Sequence, residues 1–581
     1  MDTSNPDKHL SIQCLAALQI TRRLCLAAIT TFLASHLLAQ SPQISIVAFE
    51  QSRIAGLQED EILQNWDLAK GINQQGTVVF TGNISRKNTN GNWFQSGKGL
   101  WTGKPGSIEM VMREGEAIPG EDAELKFFEL LEPISFNNRG EIAFFASIRP
   151  TNGSKRTALF VWKSGSIRMV AKDGDPAIGF EMINGKLEFK TEFNLSTSAR
   201  ISLSDTGELA WSSAVQGTNT EVWGVWFTNT DTTRIISPVS AEHEKGHFPA
   251  LTIGTDGAVA FIEKGAVDSL YFWKDATLTT VAREDNKIED SNSHWRLFSQ
   301  PVLQDNGTLV FGAQTRGETK SRNDSAIWHW KDGQLKEVAI SQTILVPDQL
   351  ISRAISLHSV VSASGLVTYS ACGEAPVRPR PTCQTVILVD DETGARIVAY
   401  EGMPFPGAPE GSTITFKNVR GLSDHSLVSN ERRTKIMHLG QKSSEGEVGH
   451  GVYSIKEMGY SPILEAGEIL NLGDETGAKT SGFHIYADNS PTTPFRSINN
   501  NNELLLTISS EELPNALAIV KVDNPSPISI KNTAEGIILT WNGDGILEAA
   551  IQLQGPWSQT PNQDLSQQIS TSQSIQFFRI R

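Results

Sequence analysis

The sequence predicts an all-β fold built from one repeated four-stranded unit, and three recurring blocks predict it. The first is a nine-step block with glycine at its fifth position and at its end: VMREGEAIPG (111–120), VAKDGDPAIG (170–179) and VAYEGMPFPG (398–407). ILEAGEILNLG (463–473) is a copy with one insertion, VAREDNKIED (281–290) and VAISQTILVP (338–347) are degraded copies, and Ile235 marks another. The second block is a polar turn followed by an apolar strand, as in NQQGTVVF (73–80), NNRGEIAFF (137–145), SDTGELAW (204–211) and QDNGTLVF (304–311). The third is a short apolar strand, often with Trp: GLWTG (99–103), LFVW (159–162), WGVWF (223–227), LYFW (270–273) and AIWHW (326–330).

Each unit therefore reads strand, tight turn, strand, long loop, strand, short turn, strand. From Val47 to Ile463 the first block advances in steps of 64, 59, 65, 46, 57, 60 and 65 residues. A solenoid coil is commonly about 20–45 residues, whereas four strands at this longer period fit a β-propeller blade. The tryptophans read as packing between blades.

Turn blocks and Trp-strand blocks each occur eight times, so the expected architecture is an eight-bladed β-propeller; units three, four, five and seven depart most from the pattern, which leaves seven as the alternative count. The fourth-strand block also occurs eight times, but its first copy, VAFEQSRIAG (47–56), precedes every other block. The unit ending near Val522 lacks its own fourth strand. An N-terminal strand completing that last unit would close the ring and remove an exposed sheet edge. PISIKN (527–532) is the competing candidate for that position.

The ends differ from the repeat. Arg22 and Arg23 precede the apolar run Leu24–Ala39, which reads as a secretory signal over residues 1–39 with cleavage near Ala39. The run is short for a transmembrane helix, so no span is expected in the mature chain. Propeller units occupy 40–525. Residues 526–581 form a small sandwich-like β module with five candidate strands, too short for much independent stability. The mature chain keeps two cysteines, Cys372 and Cys383, around a proline-stiffened loop. In an oxidising compartment they read as one local disulfide, with two free thiols as the alternative.

Composition narrows the function. Fifty Lys and Arg against 65 Asp and Glu give a net charge of −15. That argues against nucleic acid, whose phosphates need basic surface. The positive charge that does occur is local. The long second-to-third loops 83–98 and 148–158 each carry +3, whereas the connectors 113–130, 465–490 and 49–65 carry −4, −4 and −3. The long-loop face is the expected functional one, with a basic rim led by Arg86, Lys87, Lys98, Arg149, Lys155 and Arg156. Such a rim would hold an anionic glycan or be a solvated edge. The connector acids could instead take a cation such as calcium.

One formal enzyme motif exists. HEKGH places His243 and His247 at the H-E-x-x-H spacing that binds zinc when it lies on a helix. Here it lies in a connector, and a repeat strand begins at once. No third ligand follows at the extended spacing, and no cofactor fingerprint occurs. The expected role is a binding protein, secreted, periplasmic or at the cell surface, with an extracellular glycan or surface protein as partner and no required cofactor. A polysaccharide- or peptide-cleaving enzyme on the same face, and a structural surface component, are the alternatives.

The Pro-x-x-x-Asn-x-x-Gly-x-x-x-Phe turn strand and the Val-Ala-x-x-Gly-Asp-x-x-x-Gly block resemble a family of uncharacterised secreted bacterial propeller-like proteins. The tail, LTWNGDGILEAAIQLQGPW with terminal FFRIR, looks like a C-terminal β module found on many secreted bacterial proteins. The resemblance implies the fold and the export, and carries no catalytic residues.

Overall fold

Strands of this chain are apolar on both faces because neighbouring sheets cover both. In Ile142–Pro150, the side chains of Ile142, Phe144, Ala146 and Ile148 enter one core, and Ala143 and Phe145 enter the next. Each buried Phe or Ile contributes on the order of 1.5–3 kcal/mol. The simple in–out alternation expected of a half-buried strand is therefore replaced here by a nearly continuous apolar run.

The computed structural model describes residues 43–150, 153–181, 185–188, 199–216, 221–238 except 231, 247–317 except 290, 300 and 305, 323–340, 344–346, 350–355, 361–363, 366–374, 384–390, 395–405, 411–415, 427–429, 435–443, 446–456, 459–471, 477–485, 497–510 and 513–522, and tail segments 529–533, 536–540, 547–550, 558–559, 566–569 and 577–580. Among them, eight antiparallel sheets of four to six strands follow one another along the chain. Sheet 1 spans residues 61–113, sheet 2 125–172, sheet 3 186–235, sheet 4 247–283, sheet 5 293–340, sheet 6 344–400 and sheet 7 413–465. Sheet 8 takes residues 469–521 and adds Gln43–Phe49 as its edge strand, paired to Ala516–Lys521. Within each sheet the strands follow the up-and-down order of a propeller blade. Each sheet is open; successive sheets meet by packing.

That packing is sequential. One core joins sheets 1 and 2 through Val79, Leu100, Phe127 and Phe144. Others join sheets 2 and 3, 3 and 4, 4 and 5, and 7 and 8. Sheet 8 in turn packs on sheet 1: Leu505, Leu517 and Ile519 share a core with Leu63, Trp66 and Phe80.

The repeat blocks are the contacts that make this packing regular. In GLW (99–101) and GVW (224–226), the indole folds back over the glycine two positions earlier. A Cβ on Gly99 would stand 2.4 Å from Trp101 Cη2, and one on Gly224 2.6 Å from Trp226 Cη2. Each indole Nε1 then donates 3.0 Å to a connector carbonyl, that of Ala55 or Ile178. Those carbonyls immediately precede Gly56 and Gly179, the final glycines of the nine-step block, whose φ values of 83° and 89° need the left-handed region. The Trp block and the nine-step block are therefore hydrogen-bond partners.

The tail forms two three-stranded sheets. Ser529–Thr533 pairs with Gly536–Thr540, which pairs with Ser566–Ile569; Leu547–Ala550 pairs with Ser558–Gln559 and Phe577–Ile580. The strand beginning at Ser529 thus belongs to the tail. Ser566–Ile569 is a strand the sequence pattern did not indicate. Among the described residues, no helix is long and apolar enough to cross a membrane. Residues 1–42 and Cys383 lie outside the described residues.

Candidate binding face

The acidic residue before the fifth-position glycine of the nine-step block is a structural staple. Glu114 accepts from the Lys98 backbone N–H of sheet 1 (2.8 Å) and from the Leu130 N–H of sheet 2 (3.0 Å). Its successor Gly115 donates to the Phe127 carbonyl. Asp173 accepts from Thr157 N–H, Glu284 from Asp268 N–H and Glu401 from the Thr415 hydroxyl at the same station of later units. One acid in each of these connectors is thereby committed, to backbone donors for Glu114, Asp173 and Glu284 and to a hydroxyl for Glu401. Among the described residues, no group of three or more His, Cys, Asp or Glu is arranged to hold a metal. His243 lies outside the described residues, and His247 opens a strand, half-buried opposite Lys264. Burial holds the His247 pKa below its ordinary value; Asp268 opposes the shift, and Lys264 and Arg200 add to it.

Five of the six cations of the long-loop face sit beside partners that spacing did not reveal. Arg86 Nε bonds Asp60 at 2.5 Å, Lys98 Nζ bonds Asp67 at 2.8 Å and Lys155 Nζ bonds Glu129 at 2.5 Å. Lys87, Arg149 and Arg156 meet no carboxylate among the described residues. Lys87 lies 5.0 Å from the ring centre of Trp93. Arg149 and Lys155 lie 5.6 and 5.4 Å from the ring centre of Phe128.

These aromatics were not singled out from the sequence. Trp93, Phe94 and Phe128 are exposed at 42%, 48% and 46%, unlike the interior Trp101, Trp211 and Trp226. The available signal was position: Trp93 and Phe94 open the strand Trp93–Lys104, ahead of its GLWTG block (99–103) rather than in it. Phe128 is an extra residue in its strand, because the register steps from Phe127 opposite Ile148 to Glu129 opposite Ser147. Such a bulge re-aims one side chain without disturbing its neighbours.

A second group lies on the face of sheet 1 that turns to sheet 2. Asn83 donates through Nδ2 to Asn65 Oδ1 and to Asp67 Oδ1, each at 2.9 Å. Gln95 Nε2 donates to Asn83 Oδ1 at 2.9 Å. Asn65 is opposite Asn83 and Asn83 opposite Lys98, and both Gln95 and Trp93 lie on that same face.

A family model described as a family of unknown function (DUF7453) matches residues 34–238, 189–342 and 241–484. No curated protein matches the sequence. Among solved structures, the Dos1 propeller is similar at 11% identity, over 79% of this chain and 94% of that one, with a TM-score of 0.35. The β-propeller domain of the trilobed protease from Pyrococcus furiosus is similar at 9%, over 69% and 98%, with a TM-score of 0.32. The oligogalacturonate lyase from Vibrio parahaemolyticus is similar at 10%, over 83% and 98%, with a TM-score of 0.33.

Proposed function

The chain belongs to this DUF7453 family of unknown function, and from that premise we propose an exported, non-enzymatic binding protein whose long-loop face takes an anionic glycan. Its sheets are the eight blades of a ring closed by the Gln43–Phe49 strand. The packing of sheet 8 on sheet 1 supports that closure. The leader at residues 1–39 supports export.

One observation carries the ligand class. Phe128 is held out to solvent with Arg149 and Lys155 at its ring. An exposed aromatic offers a sugar ring a stacking surface, and the adjacent guanidinium offers a carboxylate or sulfate a two-pronged donor. Lys155 is already compensated by Glu129, so Arg149 and Arg156 supply the net charge. The site is exposed, and its attraction is screened over about 8 Å at physiological salt.

Titration with alginate at rising NaCl tests the reading. Binding should weaken steadily with salt, and Arg149→Ser with Arg156→Ser should weaken it about tenfold, a change of ~1.4 kcal/mol. Equal affinity of the double variant and wild type would overturn it, as would failure of wild type to bind at low salt.

A further inference from the structure

We propose that the face of sheet 1 turned to sheet 2 is a separate subsite for an uncharged sugar unit, built from Trp93, Gln95, Asn83 and Asn65. It rests on the glycan-binding reading above and deepens it: the ligand would be a polysaccharide carrying neutral residues as well as charged ones.

Asp67 sets the orientation of the whole group. A carboxylate only accepts hydrogen bonds, and Lys98 holds Asp67 Oδ2 at 2.8 Å. Its other oxygen therefore obliges Asn83 to present Nδ2. That amide then turns its Oδ1 toward Gln95 Nε2 and shares its Nδ2 with Asn65 Oδ1. One carboxylate thus orients three amides. The free ends of the chain are a donor, Asn65 Nδ2, and an acceptor, Gln95 Oε1, neither of which has a partner among the described residues. A donor and an acceptor held in orientation on either side of Asn83 match hydroxyls, each of which both donates and accepts.

Two further features suit a sugar ring, with Lys87, 5.0 Å from the Trp93 ring centre, the one cation beside them that no carboxylate among the described residues meets. Lys98 and Asp67 cancel one another, so the network presents no net charge. Trp93 stands on the same face, two residues before Gln95 and 42% exposed. Its ring offers the C–H face of a pyranose an apolar platform. Orientation is established before the ligand arrives, so little rotamer entropy remains to be lost on binding.

The test uses the full chain with laminarin, xyloglucan and galactomannan as neutral probes and alginate as the anionic one. Wild type should bind at least one neutral probe with little dependence on salt. Trp93→Ala and Gln95→Ala should each weaken that binding by about tenfold. Trp93 and Gln95 are exposed, so an unaltered unfolding midpoint certifies both variants. If alginate binds and no neutral probe does, this subsite is wrong while the anionic site stands. If a neutral probe binds equally to wild type, Trp93→Ala and Gln95→Ala, the subsite is again wrong. If no glycan binds, both readings fall.

Discussion

Asn499 donates from its side-chain Nδ2 to the backbone carbonyl of Asn73 at 2.9 Å, although 426 positions separate them. The same contact links consecutive turns elsewhere: Asn73 Nδ2 reaches Asn137 O at 3.3 Å, and Asn137 Nδ2 reaches Ser204 O at 2.7 Å. Each Asn also caps its own turn. Asn499 Oδ1 accepts from the N–H groups of Asn501 and Glu503, as Asn73 Oδ1 does from Gln75 and Thr77. One residue type therefore closes the turn within a sheet and ties that turn to the next, a use of Asn that an ordinary hairpin turn does not require.

Asn499→Asp separates these two roles. The carboxylate can still accept from the turn, but it cannot donate to Asn73 O, and it meets Glu503 Oε2, now 2.6 Å from Asn499 Nδ2. Removing one of the two donors to that carbonyl, which keeps the Gly76 N–H at 3.0 Å, and pairing two acids should lower stability by about 1–3 kcal/mol. Urea unfolding at neutral pH measures it. An unchanged midpoint would mean the link between the last and first sheets contributes nothing.

Gly99→Ala should destabilise through Trp101. The new methyl would stand 2.4 Å from the indole, which cannot retreat because it is fully buried and tied to Ala55 O. Overpacking of this kind costs about 1–3 kcal/mol. Gly449→Ala, with nothing within 4 Å, is the matched control, expected within about 0.5 kcal/mol of wild type. Equal unfolding midpoints for the two variants would refute the mechanism.

Glu114→Gln keeps the size and loses one acceptor. Glu114 receives backbone N–H groups from both neighbouring sheets, and an amide NH2 would face one of them, donor to donor. A loss of about 1–3 kcal/mol follows. Faster hydrogen exchange at Lys98 and Leu130 would locate the damage, and protection equal to wild type would contradict the staple.

His438 predicts acid sensitivity. Burial, then the neighbouring His450 and His484, hold its pKa down to about 3. Its Nε2 is buried without a hydrogen-bond partner among the described residues, and its ring centre lies 5.4 Å from that of His450. An unfolded histidine titrates near 6.5. Between those values the unfolded chain binds the extra proton, so stability is full above about pH 6.5 and falls as pH drops, by ~1.4 kcal/mol per unit from this group. His438→Leu should flatten that slope between pH 6.5 and 4.5. Denaturant midpoints at both pH values check it, and parallel slopes for variant and wild type would exclude His438 as the cause.

Strand order within the unit, the glycine stations and the Trp strands were all legible from the chain. They arise from local rules: period-two side-chain alternation, left-handed turn positions, and an aromatic folding over a glycine two residues away. The candidate sites were legible only in part. Lys98 and Lys155 looked like free rim cations because Asp67 and Glu129 belong to different strands from theirs. Trp93 stood outside the repeat's Trp block, but nothing along the chain showed that its ring faces water.

The sequence by itself determined an all-β chain of four-stranded units and the glycines and tryptophans that repeat them, because those depend on neighbours within a few residues. Only the tertiary structure decided which charges are cancelled, which aromatics face water and which amides are aligned. Those outcomes depend on distances across strands and between sheets, such as the single carboxylate of Asp67 meeting both Lys98 and Asn83, and no spacing along the chain encodes them.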